Sequence, residues 1–222
     1  TYEEAQEVLD TKSGDFCDEL LQLDKISKVL RKARFKDGAI DFATNEVRFK
    51  LDEDGTPLAV YVKERIDTNM LIEDFMLLAN KEVATFMIKK AERLREVIPF
   101  LFRVHDEPNM EKVEELAKFA EALGHKMDLR TPQSIARSYT ELLAKAAEDP
   151  MVKMLSPIAI RTMAKAIYTT ENIGNYGLGF ENYTHFTSPI RRYADVLVHR
   201  ILDENIEKGS LYKMNPTKLE EI

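Results

Sequence analysis

Residues 183–200, YTHFTSPIRRYADVLVHR, set the terms on which the rest of the chain is read. The stretch opens as a loop of hydroxyls and rings, turns at Ser188-Pro189, and continues with helical spacing. Serine at a cap followed by proline at the first helical position predicts a helix start there. Ile190, Tyr193, Ala194, Leu197 and Ile201 recur at the helical period and predict one buried face. Arg191 and Arg192 then fall in the first turn, where unpaired N–H groups and the positive end of the macrodipole disfavour cations. The same arrangement receives an anion well, because free N–H groups and two guanidiniums converge on one spot. His185, Thr187 and Ser188 lie immediately upstream and add neutral donors. The stretch reads as a phosphate pocket.

Composition bounds what surrounds it. The 222 residues suffice for one large domain or two small ones, and 44% hydrophobic with 32% charged residues is a globular balance. A net charge of −7 argues against nucleic-acid binding through diffuse basic charge, so any polyanion site must be a local concentration of Lys and Arg. The single cysteine, Cys17, forms no intrachain disulfide and points to a reducing, cytoplasmic setting. No apolar run approaches the roughly 20 residues a membrane helix needs. Thr1 is no initiator and Lys218–Ile222 reads as a helix just beginning, so both ends look cut.

In chain order, TYEEAQEVL and Asp15–Phe35 predict two helices separated at Thr11–Gly14. The second draws its apolar stripe from Leu20, Leu21, Leu23, Ile26, Val29 and Leu30. From Ala39 to Ile66 the period changes to two, and Asp54-Gly55 signals a hairpin turn. The acidic run at 52–55 lacks the closing glutamate of a calcium loop and reads as a solvated turn. Asp67–Glu92 is apolar nearly all round and predicts a central helix. On it Glu73 and Asn80 share a stripe. They either hold a polar site open, or are a first-turn acid and a satisfied core amide. LFRVH at 101–105 predicts a short strand. Asn109–Leu123, Thr131–Glu148 and Asp149–Ile167 predict three more helices, the last split or kinked at Pro157. Tyr168–Phe180 reads as a loop whose three glycines fit no phosphate-loop spacing. The predicted class is α+β, predominantly helical with a small antiparallel sheet.

The bond-breaking chemistries come up poor. Ser188 has His185 near it but no strand–elbow–helix context, and it serves better as a cap. Four histidines and one cysteine give no zinc spacing, no carboxylates pair at a metal-binding spacing within a loop, and His199 reads as a packed core histidine. The chain shows a phosphate-binding end and no evident machine for cutting.

HFTSPIRRYADVLVHR resembles the signature of the ribonuclease II / ribonuclease R family, whose catalytic domain is called RNB. TYEEAQEVL, LRKARFKDGAIDF, LIEDFMLLAN, FRVHDEP and YTTENIGNYGLGFENYTHF fit the same family in order, so the resemblance covers essentially the whole chain, with the ribonuclease R branch nearer. It implies that residues 1–209 are the C-terminal portion of an RNB catalytic domain and 210–222 the start of a connection onward. The activity implied is processive 3′→5′ hydrolysis of single-stranded RNA to nucleoside 5′-monophosphates with magnesium. In that family the metal-binding aspartates lie upstream of the segment matching residue 1. No metal ligand and no bound metal are therefore expected here, and the isolated chain is expected to be inactive.

Carried over residue by residue, the resemblance gives Arg191 the scissile phosphate and the charge that builds up on it. Phe42, closing GAIDF, would stack on bases near the RNA 3′ end, and Glu73 would help orient the terminal nucleotide. His185, Thr187, Ser188, Arg192 and Tyr193, which lie around Arg191 in the sequence, are expected as second-rank RNA contacts, with Arg192 alternatively paired to an acid. The rival expectation is a non-catalytic RNA-binding or regulatory relative on the same scaffold.

Overall fold

A computed structural model describes residues 1–41, 46–207, 211–215 and 219. The chain divides into two units, Thr1–Leu30 with Phe42–Phe75, and Arg31–Asp41 with Met76–Ile222.

In the first unit, α1 (Tyr2–Thr11) starts where the sequence says it should. Thr1 Oγ1 accepts from the Glu4 N–H at 3.1 Å and the Glu4 carboxylate returns to the Thr1 amine. That reciprocal capping box satisfies otherwise orphaned donors. Gly14, at φ 121°, makes the exit turn, and a Cβ there would lie 3.0 Å from Val8 Cγ2. α2 (Cys17–Lys36) follows, and its stripe behaves differently from expectation: Leu23, Ile26 and Val29 are exposed. The buried residue on that part of the helix is Ser27, whose hydroxyl donates to Asp74 at 2.8 Å. α3 (Asp67–Leu94) is tied to α1 at its start, where Thr68 N–H donates to the Gln6 side chain and the Thr68 hydroxyl to Tyr2 C=O.

The hairpin is as expected in its strands and turn. β1 (Glu46–Leu51) pairs antiparallel with β2 (Pro57–Lys63), and Asp52 Oδ1 accepts from the N–H groups of Asp54 and Thr56. Alternation places Val47, Phe49 and Leu51 opposite Val62, Val60 and the start of β2, on one face. Each of those three and each of Leu58, Val60 and Val62 is more than half exposed. The alternation read from Ala39 onward does not give a strand at its first described residues: Ala39, Ile40 and Asp41 are outside any strand, and Ile40 N–H donates to Gly177 C=O.

The second unit has its core between α3 and α8 (Tyr193–Ile206). Ala84 and Met87 of α3 pack with Phe100, Leu101, Ala194, Leu197, Val198 and Ile201. Lys90, buried beside them, donates to the carbonyls of Asn205 and Glu207. A cation there suits the negative end of α8, although burial, then Arg93, lowers the Lys90 pKa. The segment at 101–105 is β3 (Phe102–Val104), as expected. Its partner was not: β4 (Ile167–Thr169) occupies residues read as helix end and loop. The helix expected at 149–167 is split, as the proline predicted, into α6 (Pro150–Lys153) and α7 (Ser156–Thr162), and it ends earlier than expected; Pro157 lies near the start of α7, where a missing N–H costs little. α4 (Met110–Ala122) and α5 (Pro132–Glu148) are capped by Asn109 and Thr131, and Tyr139 of α5 bonds the Thr162 hydroxyl.

The described residues are thus mostly helical with two small antiparallel sheets. No helix among them is long and apolar enough to cross a membrane.

Candidate nucleic-acid interface

The loop Tyr183–Arg192 is pinned from below by α3. Asn80, almost fully buried, accepts from the N–H groups of Phe186 (2.9 Å) and Thr187 (3.2 Å) and donates to the Tyr183 hydroxyl (3.0 Å). Of the two readings open for Asn80, the satisfied core amide holds, and what satisfies it is this loop. Thr184 adds a hydroxyl bond to Leu101 C=O at 2.6 Å, and Arg103 N–H donates to Tyr183 C=O. A backbone without regular secondary structure is thereby fixed at five points.

The helix start differs from the sequence reading. Ser188 C=O accepts from the N–H groups of Arg191 and Arg192 in a turn, and α8 begins at Tyr193 with Arg192 as its cap. The Ser-Pro signal is overridden by Asp195. Its carboxylate, completely buried in the first turn of α8, accepts from the Ser188 N–H at 2.7 Å and from Arg192 Nη2 at 2.8 Å. Arg192 Nε stands 2.8 Å from the other oxygen. Arg192 is therefore paired with an acid, the second of its two readings, and the charges at this helix start are partly balanced. Ile190, expected in the core, is fully exposed at 102%, and Tyr193 is exposed at 61%. Ala194, Leu197 and Ile201 are buried as expected.

Arg191 is left over. It is exposed on the turn, and among the described residues no acid or hydrogen-bond acceptor engages its guanidinium. Thr187 Oγ1 is buried without a partner among the described residues. His185 is half-buried: its Nδ1 lies 2.6 Å from the Tyr168 hydroxyl, and its ring meets Tyr168 and Tyr183 edge-on at 5.6 and 5.8 Å. Burial pushes the His185 pKa down to about 4, Arg192, Arg103 and Arg191 add to this, and Asp195 opposes it. His199, stacked on Phe186 with its Nε2 on Phe186 C=O, is the packed histidine expected.

Neutral His185 gives a pH signature. Above its ordinary value of 6.5 both folded and unfolded chains carry a neutral ring. Between pH 6.5 and 4 the unfolded chain takes up a proton that the folded chain refuses, so stability falls as pH falls. After discounting for solvent screening the loss is about 1–2 kcal/mol. Denaturant melts at pH 7, 5.5 and 4.5 should show it, and His185→Gln should flatten that portion of the curve.

Glu73 lies in the first unit, where it accepts from Arg65 Nη2 at 2.7 Å with both side chains nearly half exposed. Phe42 lies outside the described residues. The other six candidates share one loop and helix start. Missed by the sequence reading were Asp195, Arg103 and Tyr168. Asp195 was legible as an acid three residues after Arg192, whereas Tyr168 gave no local signal, since its strand exists through a distant partner.

The RNB domain family matches residues 1–208. The chain belongs to that family. It is 38% identical to ribonuclease R of Ureaplasma parvum over 82% of this chain and 26% of the relative, and 36% identical to ribonuclease R of Escherichia coli over 90% and 24%. Among solved structures it resembles Mycoplasma genitalium RNase R in complex with ribose-methylated single-stranded RNA. There the TM-score is 0.81 and the identity 26%, over 99% of this chain and 34% of that one. Yeast Ssd1, a pseudonuclease, shares the fold at TM-score 0.71 and 23% identity, over 99% and 26%. The chain spans about a quarter to a third of the length of these relatives.

RNB family enzymes use magnesium. Among the described residues no three His, Cys, Asp or Glu side chains gather as a metal set. The acid at the interface, Asp195, is committed to Arg192 and the Ser188 N–H. The described residues do not fit the ion.

Proposed function

We propose that this chain contributes the phosphate-gripping part of an RNB exoribonuclease that shortens single-stranded RNA from its 3′ end, releasing nucleoside 5′-monophosphates. The observation that carries the reading is Arg191: a guanidinium unengaged among the described residues, on a turn fixed by Asn80 and by Asp195. An arginine so held meets a phosphate oxygen with little reorganisation and stabilises charge that develops there. Arg192, clamped and neutralised by Asp195, helps to hold the turn that presents Arg191. Neutral His185 offers a donor or an acceptor, and a phosphate beside it would draw a proton onto the ring. Magnesium, where it acts, would be held by residues other than those described here, so the 222-residue chain alone should bind RNA without cutting it.

Incubating the full-length protein and magnesium with 5′-labelled single-stranded RNA should give progressive 3′ shortening. Binding with no shortening would sink the exoribonuclease reading in favour of a non-catalytic relative. That rival draws its support from the fold shared with a pseudonuclease, and fold alone does not separate the two.

Phe42 is proposed to stack on bases near the 3′ end, where a ring contributes on the order of 1–3 kcal/mol per base. Phe42→Ala should weaken binding of short RNAs roughly tenfold or more, or change the length of the final product. Unchanged values for both would remove it from the site. Glu73 is proposed to help orient the terminal nucleotide.

A further inference from the structure

We propose that Arg103, in the FRVH segment, is a second RNA-phosphate ligand that works beside Arg191. This rests on the phosphate-binding reading of Arg191 just given. β3 is buried at Phe102 and Val104, so strand alternation aims the one residue between them away from the core. Its directly opposed partner on β4 is Tyr168, and the Arg103 guanidinium lies over that ring at 4.6 Å. Stacking on a phenol fixes the guanidinium plane and removes water from one face. It leaves the charge and the N–H edge available. No acid among the described residues pairs with Arg103.

The surroundings add to this. His185, hydrogen-bonded to Tyr168, lies within electrostatic reach of Arg192, Arg103 and Arg191, and of one acid, Asp195. Asp195 is spent on Arg192. Two guanidiniums, Arg103 and Arg191, therefore stand near one histidine with no counter-charge among the described residues, in a chain whose net charge is −7. Like charges gathered without a counter-charge destabilise a fold, and a phosphodiester passing between them removes that penalty. The planar fork of each arginine suits consecutive phosphates of one strand, which carry no base identity.

The test is the salt dependence of single-stranded RNA binding by the full-length protein. Each phosphate contact contributes about 0.7 to the slope of log K against log[salt] for single strands. Arg103→Met keeps an unbranched side chain over Tyr168 but removes the charge, and should lower the slope by about 0.7. Arg103→Lys should restore it. An unchanged slope in Arg103→Met, even with weakened affinity, would show that Arg103 only props the Tyr168 ring and would overturn the proposal. Should the methionine variant melt early, Arg103→Gln reads the same slope. Arg191→Met is measured alongside. A drop there but not at Arg103 overturns this inference, and a drop at Arg103 alone overturns the Arg191 reading and with it the pairing of the two, leaving Arg103 as a phosphate ligand by itself.

Discussion

Arg191→Lys in the full-length protein should reduce turnover by about 10²–10³, the usual effect of deleting one preorganised donor to a charge that forms in the transition state. RNA affinity should change by less than about tenfold, since a single exposed charge contact is worth roughly 1 kcal/mol. The separation follows from geometry. Lysine keeps the positive charge, so it keeps most of the ground-state attraction, but it loses the planar two-donor edge. The turn that carries Arg191 is fixed by Ser188 C=O, by Asp195 and by Asn80, so the guanidinium leaves its backbone in a defined direction. A flexible ammonium on the same turn would occupy the position only part of the time. Single-turnover rates and equilibrium binding on one labelled RNA would measure the two effects apart. Equal losses in both would mean that the residue grips substrate and contributes nothing specific to the reaction step.

What the sequence disclosed and what it concealed divide by range of interaction. The helix starts at Thr1, Asn109 and Thr131 were legible because a capping side chain and the N–H groups it serves lie within one turn. The hairpin was legible from its period of two and from Asp54-Gly55. β4 was not, because Tyr168 becomes strand only by pairing with Arg103, far away in the chain. Ser188-Pro189 is a strong local start signal, yet a buried carboxylate at Asp195 outcompetes the serine cap and moves the start to Tyr193. Arg191 drew attention because its charge opposed the helix dipole. That was half right: Asp195 balances Arg192, and Arg191 stands outside the helix altogether. The stripe Leu23, Ile26 and Val29 and the apolar face of the hairpin show a further limit. Periodicity announces that a face is suited to burial and carries no information about what covers it.

Asn80→Ala should be the most damaging single change at the interface that touches no charged group. Three hydrogen bonds end on this side chain, two accepted from consecutive backbone N–H groups and one donated to Tyr183. Alanine leaves those two donors without their partner, at a cost of about 2–4 kcal/mol in stability. The catalytic consequence is separate. Phe186 and Thr187 precede the turn that presents Arg191, and freeing them lets the guanidinium wander. A displacement of about 1 Å at a reacting group can cost on the order of 10²-fold in rate. Turnover should therefore fall about 100-fold at temperatures where the variant is still folded, with a smaller change in RNA affinity. Tyr183→Phe is the control. It removes the hydroxyl but leaves both backbone N–H groups on Asn80 Oδ1, so it should cost about 1 kcal/mol in stability and leave turnover close to normal. If Asn80→Ala instead loses stability while its folded fraction turns over RNA at the full rate, then Asn80 serves the core alone. The position of Arg191 would in that case be set by Asp195 and the Ser188 turn.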